Sequence, residues 1–263
     1  MESENGLNSK AFNNIIADYE FARPGYPESL FEDIIVFAKL AHGARLLEIG
    51  AGPGQATDYF VKHGYSVTSL EIGENQVNFL REKYSSFPNF RTVHSSFEEY
   101  AGPEESFDLV FSATAFHWID PALGIPKAYR LLKKGGAFAL FWHLESIVQQ
   151  ETELQSELSH IFQQHAPELD DYISPEEGKK LHIERIAQIG TDGLFGPVEA
   201  KLYRWNEEYA TERYLRLLNS YSNMHEISED KRKAIFEDVA AYFARKGGRI
   251  EVPMEVRLYM ASK

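Results

Sequence analysis

The feature that most constrains the fold is an alternation of apolar runs and helical spacings between residues 44 and 142. Ala44 to Ile49 is a short apolar run ending in Gly50, which reads as a buried strand entering a tight turn. Gln55 to His63, closed by Gly64, reads as the helix that follows. Tyr65 to Glu71 is a second strand, Asn75 to Tyr84 a helix, Phe90 to His94 a weaker strand and Phe107 to Ser112 a stronger one. Leu123 to Leu132 has helical spacing, stops at Lys133-Lys134-Gly135-Gly136, and gives way to the apolar strand Ala137 to Trp142. A helix opened by Pro27, with Leu30, Phe31, Ile34, Ile35 and Ala38 on one face, precedes the alternation. This pattern predicts a doubly wound α/β fold, a parallel sheet with helices on both faces, and the right-handed crossover rule leaves it few topologies.

Beyond Glu145 the pattern changes. A polar helical stretch runs through Gln164, a helix is expected near Lys179 to Ile189, and a glycine-rich turn follows at Gly190 to Gly196. We read 145–197 as a mainly helical insertion after the fifth strand, lying over the sheet's edge and the substrate site. Val198 to Trp205 then resembles a strand, Thr211 to Tyr221 and Glu229 to Arg245 are helices, and Arg249 to Met260 alternates like an edge strand. The expected organisation is one domain over 1–263, with an arm or lid at 1–26, a ligand-binding half at 27–144, the insertion at 145–197 and the rest of the sheet at 198–263.

Composition narrows the function. With 43% hydrophobic and 13% aromatic residues the chain carries enough apolar material for a sizeable core. It has no cysteine, which excludes disulfides, thiolate metal sites and a cysteine nucleophile. Nine histidines are present, but His160 and His165 are five apart and off one helical face, so no metal is expected. Lys and Arg number 27 against 40 Asp and Glu, a formal charge of −13 that repels a polyphosphate backbone. The basic stretches at Lys231 to Lys233 and Arg245 to Arg249 sit among acidic or apolar residues and read as solvated faces. Neither a secretory leader at 1–14 nor an apolar run of about 18 residues is visible, so the expected address is cytoplasmic, with no membrane and no nucleic acid as partner.

The chemistry concentrates at Glu48-Ile49-Gly50-Ala51-Gly52-Pro53-Gly54, between a buried strand and a helix. Glycines there let the backbone turn sharply and approach a ligand with no β-carbon in the way. Gln55 replaces the third glycine of the dinucleotide fingerprint, which disfavours a pyrophosphate on the helix end. Glu48 repels a phosphate and attracts a cationic amino group, and S-adenosylmethionine carries such a group and no phosphate. Glu71 ends the second strand a little under 20 residues after the last glycine, where a carboxylate can accept from both ribose hydroxyls. Standing alone it is equally well a surface acid; with the glycine turn the ribose reading is favoured.

The ordered set Leu46 to Thr57, Glu71, Ser96-Phe97-Glu98, Phe107 to Ala113, His117-Trp118-Ile119-Asp120 and Leu131 to Gly136 resembles the class I S-adenosylmethionine-dependent methyltransferases. Within them it is similar to the methyltransferase type 11, trans-aconitate methyltransferase-like branch that acts on small molecules. The resemblance covers residues 19–142 well and 205–260 more loosely. It implies a seven-stranded Rossmann-like sheet in the order 3-2-1-4-5-7-6, its last strand antiparallel, with S-adenosylmethionine above the first, second and fourth strands. It further implies that Gly50, Ala51, Gly52 and Gly54 line the methionine and ribose portion, that Glu48 steers the amino group with Thr57 nearby, and that Glu71 holds the ribose while Ile72 packs on the adenine. Relatives often carry Asp-Ala where this chain has Ser95-Ser96, so the Ser96 side chain or the Phe97 backbone takes over the adenine contact. The carbonyl of Ala113 receives the amine.

Two further segments are candidates. Tyr19-Glu20-Phe21-Ala22-Arg23-Pro24-Gly25-Tyr26 is unusually aromatic; in similar proteins it closes over the cofactor, with Arg23 pairing a carboxylate, and the alternative is an arm packing Tyr19 and Tyr26 on the core. His117 is the candidate general base; the alternative is that His117 and Trp118 simply start a helix. Tyr26, Trp118, Trp142, Arg204 and Tyr221 are candidate contacts for a small-molecule acceptor with a carboxylate, hydroxyl or amine. The competing functions are a nicotinamide-dependent oxidoreductase and a catalytically silent, cofactor-binding regulatory protein.

Overall fold

A computed structural model describes Asp18 and residues 20–144, 152–169 and 175–263. The expected alternation is present. Helix α1 (Glu28–Phe37) leads into β1 (Arg45–Ile49), α2 (Thr57–Lys62), β2 (Ser66–Glu71), α3 (Glu74–Lys83) and β3 (Phe90–His94). Then come β4 (Phe107–Ala113), α4 (Pro121–Leu131) and β5 (Leu132–Leu144). Helices α5 (Glu153–His165) and α6 (Pro175–Ile189) follow, and β6 (Glu199–Ala210), α7 (Thr211–Asn219), α8 (Glu229–Arg245) and β7 (Arg249–Ser262) complete the chain.

The strands form a seven-stranded sheet in the order β3-β2-β1-β4-β5-β7-β6, with β7 antiparallel. The parallel part is built around β1, whose Leu46, Leu47 and Glu48 lie beside Val67, Thr68 and Ser69 of β2 on one side and Leu109, Val110 and Phe111 of β4 on the other. Leu46, Leu47 and Ile49 are all buried, because a central parallel strand is covered on both faces and needs apolar side chains on each. Asp120 starts α4 by accepting from the Ala122 amide at 2.9 Å, and Pro121 occupies the first turn, where its missing N–H has no partner to lose.

Three expectations need correction. The strand Arg249–Ser262 is not an edge strand: it lies between β5 and β6, and β6 and β3 form the edges. Its two-residue alternation is confined to the first half, and Leu258, Tyr259, Met260 and Ala261 are all buried, as an interior strand requires. The turn expected at 133–136 is instead part of β5, which pairs with Phe107 from Leu132 onward. Between the pairs Phe107–Leu132 and Leu109–Ala137, one residue of β4, Asp108, faces four of β5, Lys133 to Gly136, so the surplus bulges, with Gly135 at a φ of 76°. Helix α2 starts at Thr57 and not Gln55, because the glycine turn extends further.

Backbone contacts divide the chain into two compact units. One comprises 25–143, 179–203 and 256–263 and has a core in which Leu47, Val110, Phe138 and Leu140 of the sheet meet Ile125, Ala128 and Leu131 of α4. The other comprises 1–24, 144–178 and 204–255, and its core joins Leu154, Leu158 and Ile161 of α5 to Leu217 and Leu218 of α7 and Val239 and Phe243 of α8. The segment expected as one insertion is therefore shared, α5 going with one unit and most of α6 with the other. Residues 145–151 and 170–174 of it lie outside the described residues.

Candidate active site

The glycine turn sits at the carboxyl end of β1, where the next strand and helix close on it from two sides. Gly50, Gly52 and Gly54 all have positive φ, at 68°, 53° and 88°, a region that only glycine enters without cost. Their surroundings differ. A β-carbon on Gly50 would meet the Ala115 β-carbon at 2.5 Å, and one on Gly54 would meet the Tyr84 hydroxyl at 2.6 Å, so these two glycines are needed for packing. A β-carbon on Gly52 would meet nothing within 4 Å: this is the side of the turn left open for a ligand.

Glu71 closes the turn. Its Oε2 accepts from the Gly52 amide at 2.8 Å, and its Oε1 from the Ile72 and Gly73 amides at 2.9 and 3.0 Å. A carboxylate offers about four lone-pair sites. Three are already taken, so gripping both hydroxyls of a ribose requires one of these amides, most simply that of Gly52, to share its acceptor. Ile72 beside it is 70% exposed, an aliphatic side chain in water and thus available to cover a flat apolar ring.

Glu48 points inward. Its carboxyl is buried and accepts from the Thr57 hydroxyl at 2.5 Å. Burial, partly offset by the Thr57 hydrogen bond and reinforced by the negative charge of Glu71, pushes its pKa up to about 8. Thr57, at the start of α2, is fully buried by this contact. Ser112 ties β4 to β1 by donating to the Ile49 carbonyl at 2.8 Å. Ala113 ends β4, and the next residue, Thr114, has a φ of 54°, which turns the chain so that Ala115 abuts Gly50. The Ser96 hydroxyl accepts from the Glu99 amide at 3.1 Å and keeps its own O–H to donate, while the Phe97 ring is buried in the core, so that Phe97 has only its backbone to offer a ligand.

At the ends of β4 and β5, the Tyr26 hydroxyl is 3.0 Å from the Thr114 hydroxyl, and its ring stacks on His143 with centroids 4.5 Å apart. Trp142 is buried, and its indole N–H donates to Nδ1 of His117 at 3.2 Å. An indole N–H is only a donor, so Nδ1 is an acceptor and the neutral His117 ring carries its proton on Nε2. Burial and the positive charge of Arg185 lower the pKa of His117 and so favour this neutral form. Trp118, by contrast, is 81% exposed. His117 and Trp142 line a cavity of about 230 Å³ together with Phe116, Ile119, Leu140 and Arg185. Arg185 was not among the candidates from sequence: one arginine in a mixed polar helix carries no signal.

The remaining candidates fall in the other unit. The Arg23 Nε–H donates to the Ser220 hydroxyl at 3.0 Å, and its guanidinium lies 4.1 Å over the Tyr221 ring. Arg204 is bound to the buried carboxylate of Glu255. Tyr19 lies outside the described residues. Among the described residues, no group of three His, Asp or Glu side chains is placed to hold a metal, and no helix is long and apolar enough to cross a membrane.

Residues 47–140 match the family model described as "Methyltransferase domain". The chain is 24% identical to an uncharacterized methyltransferase-like protein of Schizosaccharomyces pombe over 89% of its own length and 86% of that protein's. It is 31% identical to an uncharacterized methyltransferase of Mycobacterium bovis over 51% of its own length, spanning 53% of that relative. The fold is also that of a protein assigned as a Type II methyltransferase from Anaeromyxobacter dehalogenans, with a TM-score of 0.65 at 20% identity, covering 91% of this chain and 97% of that one. Residues 47–140 thus carry a methyltransferase domain, and the fold and these relatives support a class I S-adenosylmethionine-dependent methyltransferase with S-adenosylmethionine as cofactor. The open side of Gly52, the nearly buried Glu71 carboxylate and the exposed Ile72 fit that cofactor, and the nicotinamide alternative falls away.

Proposed function

We propose that the protein methylates a small-molecule acceptor held at the carboxyl ends of β4 and β5. The observation that carries this reading is the cavity of about 230 Å³ beside His117. It starts one residue after Ala115, which itself packs on the glycine turn. A cavity of that size takes a small organic molecule, and the formal charge of −13 favours such an acceptor over nucleic acid.

The bound cofactor supplies an electrophilic methyl on a sulfonium. In our reading Glu71 and Ile72 hold the nucleoside, the turn at Gly50 to Gly54 lines the rest, and Ser96 or the Phe97 backbone takes the adenine edge. Glu48 stands behind the amino end with Ala113. What the protein then contributes is proximity, alignment and exclusion of water. His117 acts as a hydrogen-bond donor through Nε2. The base role expected from sequence needs a free lone pair, and the lone pair of the neutral ring is occupied by Trp142. An acceptor that is already nucleophilic, with no proton to remove, suits this site best.

The test is transfer from S-adenosylmethionine labelled in the methyl group, offered to fractionated small metabolites, proteins and nucleic acids. Label is expected in the small-molecule fraction alone; label confined to protein or nucleic acid overturns the proposal. On the acceptor so found, His117→Gln, which keeps a side-chain donor, is expected to retain most of the turnover. Loss in His117→Gln as deep as in His117→Ala, together with loss of an acid limb in the pH profile, would restore the base.

A further inference from the structure

Arg185 is a half-buried cation whose surroundings supply no anion. Its guanidinium lies 3.9 Å over the Trp142 ring, and its polar contact is with the Tyr259 hydroxyl. His117, His182 and Arg257 are its other charged or titratable neighbours, and His182 in turn is 3.0 Å from the same Tyr259 hydroxyl. Among the described residues no carboxylate stands within ion-pair distance of Arg185. The one acid in the cavity wall, Glu184, is directed to Lys180 at 3.7 Å. A guanidinium carries five N–H donors, and a partly desolvated one without a counter-charge is costly unless something else meets it.

The cavity that Arg185 borders also carries the polar side chains of His117, Glu184 and Gln188, while Phe116, Ile119, Leu140 and Trp142 give it apolar sides. A cation at one end, stacked on an indole that holds its plane, and aromatic and aliphatic walls at the other define a ligand with two parts. We propose that this cavity is the acceptor site and that it selects a small organic anion. The ligand has a flat apolar body between these walls and an oxyanion that the Arg185 guanidinium binds as a two-pronged donor, which makes Arg185 the residue that sets specificity. The proposal rests on the methyl-transfer reading and adds to it the charge of the acceptor. A carboxylate and a phosphonate share the required chemistry.

The experiment titrates the full chain, saturated with S-adenosylhomocysteine, with benzoate, phenylphosphonate and neutral benzamide, following ligand signals by saturation-transfer NMR and Trp fluorescence. Benzoate or phenylphosphonate is expected to bind about tenfold or more tightly than benzamide, since a charge-assisted pair exceeds a neutral one by that order. The stronger of the two identifies the oxyanion. Arg185→Gln is expected to abolish the preference, and Arg185→Lys to keep part of it, while both leave the affinity for S-adenosylhomocysteine unchanged. Equal binding of benzoate and benzamide, no binding of either anion, or an anion preference that survives Arg185→Gln overturns the proposal. Should S-adenosylhomocysteine itself fail to bind, it is the methyl-transfer reading that falls, and the two failures are read from separate titrations.

Discussion

The two carboxylates at the glycine turn have opposite surroundings, and this sets what each contributes. Glu71 meets three backbone amides, whereas Glu48 meets one hydroxyl inside the core. Removing Glu71 as Glu71→Ala leaves three N–H groups without their acceptor and is expected to cost about 1–3 kcal/mol in stability. It should also weaken S-adenosylhomocysteine binding about tenfold or more, measured by calorimetry on the folded variant. Unchanged affinity would remove Glu71 from the ribose. For Glu48 the sign of the pH dependence follows from its raised pKa. The unfolded chain releases this proton near 4.5, while the folded chain keeps it to about 8. The stability Glu48 contributes is thus complete below 4.5 and is lost as pH rises toward 8. Glu48→Gln, which cannot ionise, is expected to flatten the fall in melting temperature across that interval relative to the unaltered protein. Parallel melting curves for the two would show that Glu48 ionises in the folded state as it does in water.

The turn between β1 and α2 separates residues that shape an element from residues that serve a ligand. All three glycines have positive φ, so alanine at any of them carries a conformational cost of roughly 1–2 kcal/mol. Gly50→Ala adds a clash with Ala115, whereas Gly52→Ala adds a methyl group to open space. Gly50→Ala is therefore expected to lower the melting temperature clearly more than Gly52→Ala, and Gly52→Ala to lose cofactor affinity out of proportion to its stability. If Gly52→Ala binds S-adenosylhomocysteine normally, the open side of the turn does not face the ligand. The turn was legible in the sequence because strand, glycines and helix lie within a dozen residues. So was each short buried strand, since both its faces are apolar. Strand β7 misled because its first half alternates as an edge does, and its neighbours, β5 and β6, end 105 and 39 positions before it in sequence. The start of β5 was hidden by Lys133 and Gly135: a bulge has the composition of a turn. Arg185 and the Trp142–His117 pair were beyond reach for a related reason, since no spacing rule brings α6 to the end of β5.

At the scale of the whole molecule, the division into two compact units gives the cofactor reading a spatial signature. Every residue assigned to the glycine turn, to Glu71 and to the 112–118 loop lies in the unit that contains 25–143, while α7 and α8 build the core of the other. A ligand that binds the folded state stabilises it by RT ln(1 + [L]/Kd), about 2.7 kcal/mol at a hundredfold excess over Kd. Locally opening segments in contact with the ligand feel that energy first. Amide hydrogen exchange with and without S-adenosylhomocysteine is therefore expected to show protection at 50–57, 71–73 and 113–117 and little change across 211–245. The same data decide the arm. Arg23 is held by Ser220 and Tyr221, which lie with it in the unit containing α7 and α8. An arm that closes on the cofactor carries protection into 20–24 as well. An arm that only packs its aromatic side chains leaves those amides unchanged, and then Arg23 drops out of the cofactor site. Protection centred on 211–245 with none at the glycine turn would mean that the nucleoside binds in the other unit, and the cofactor-binding roles of Glu48, Gly52 and Glu71 would have to be abandoned together.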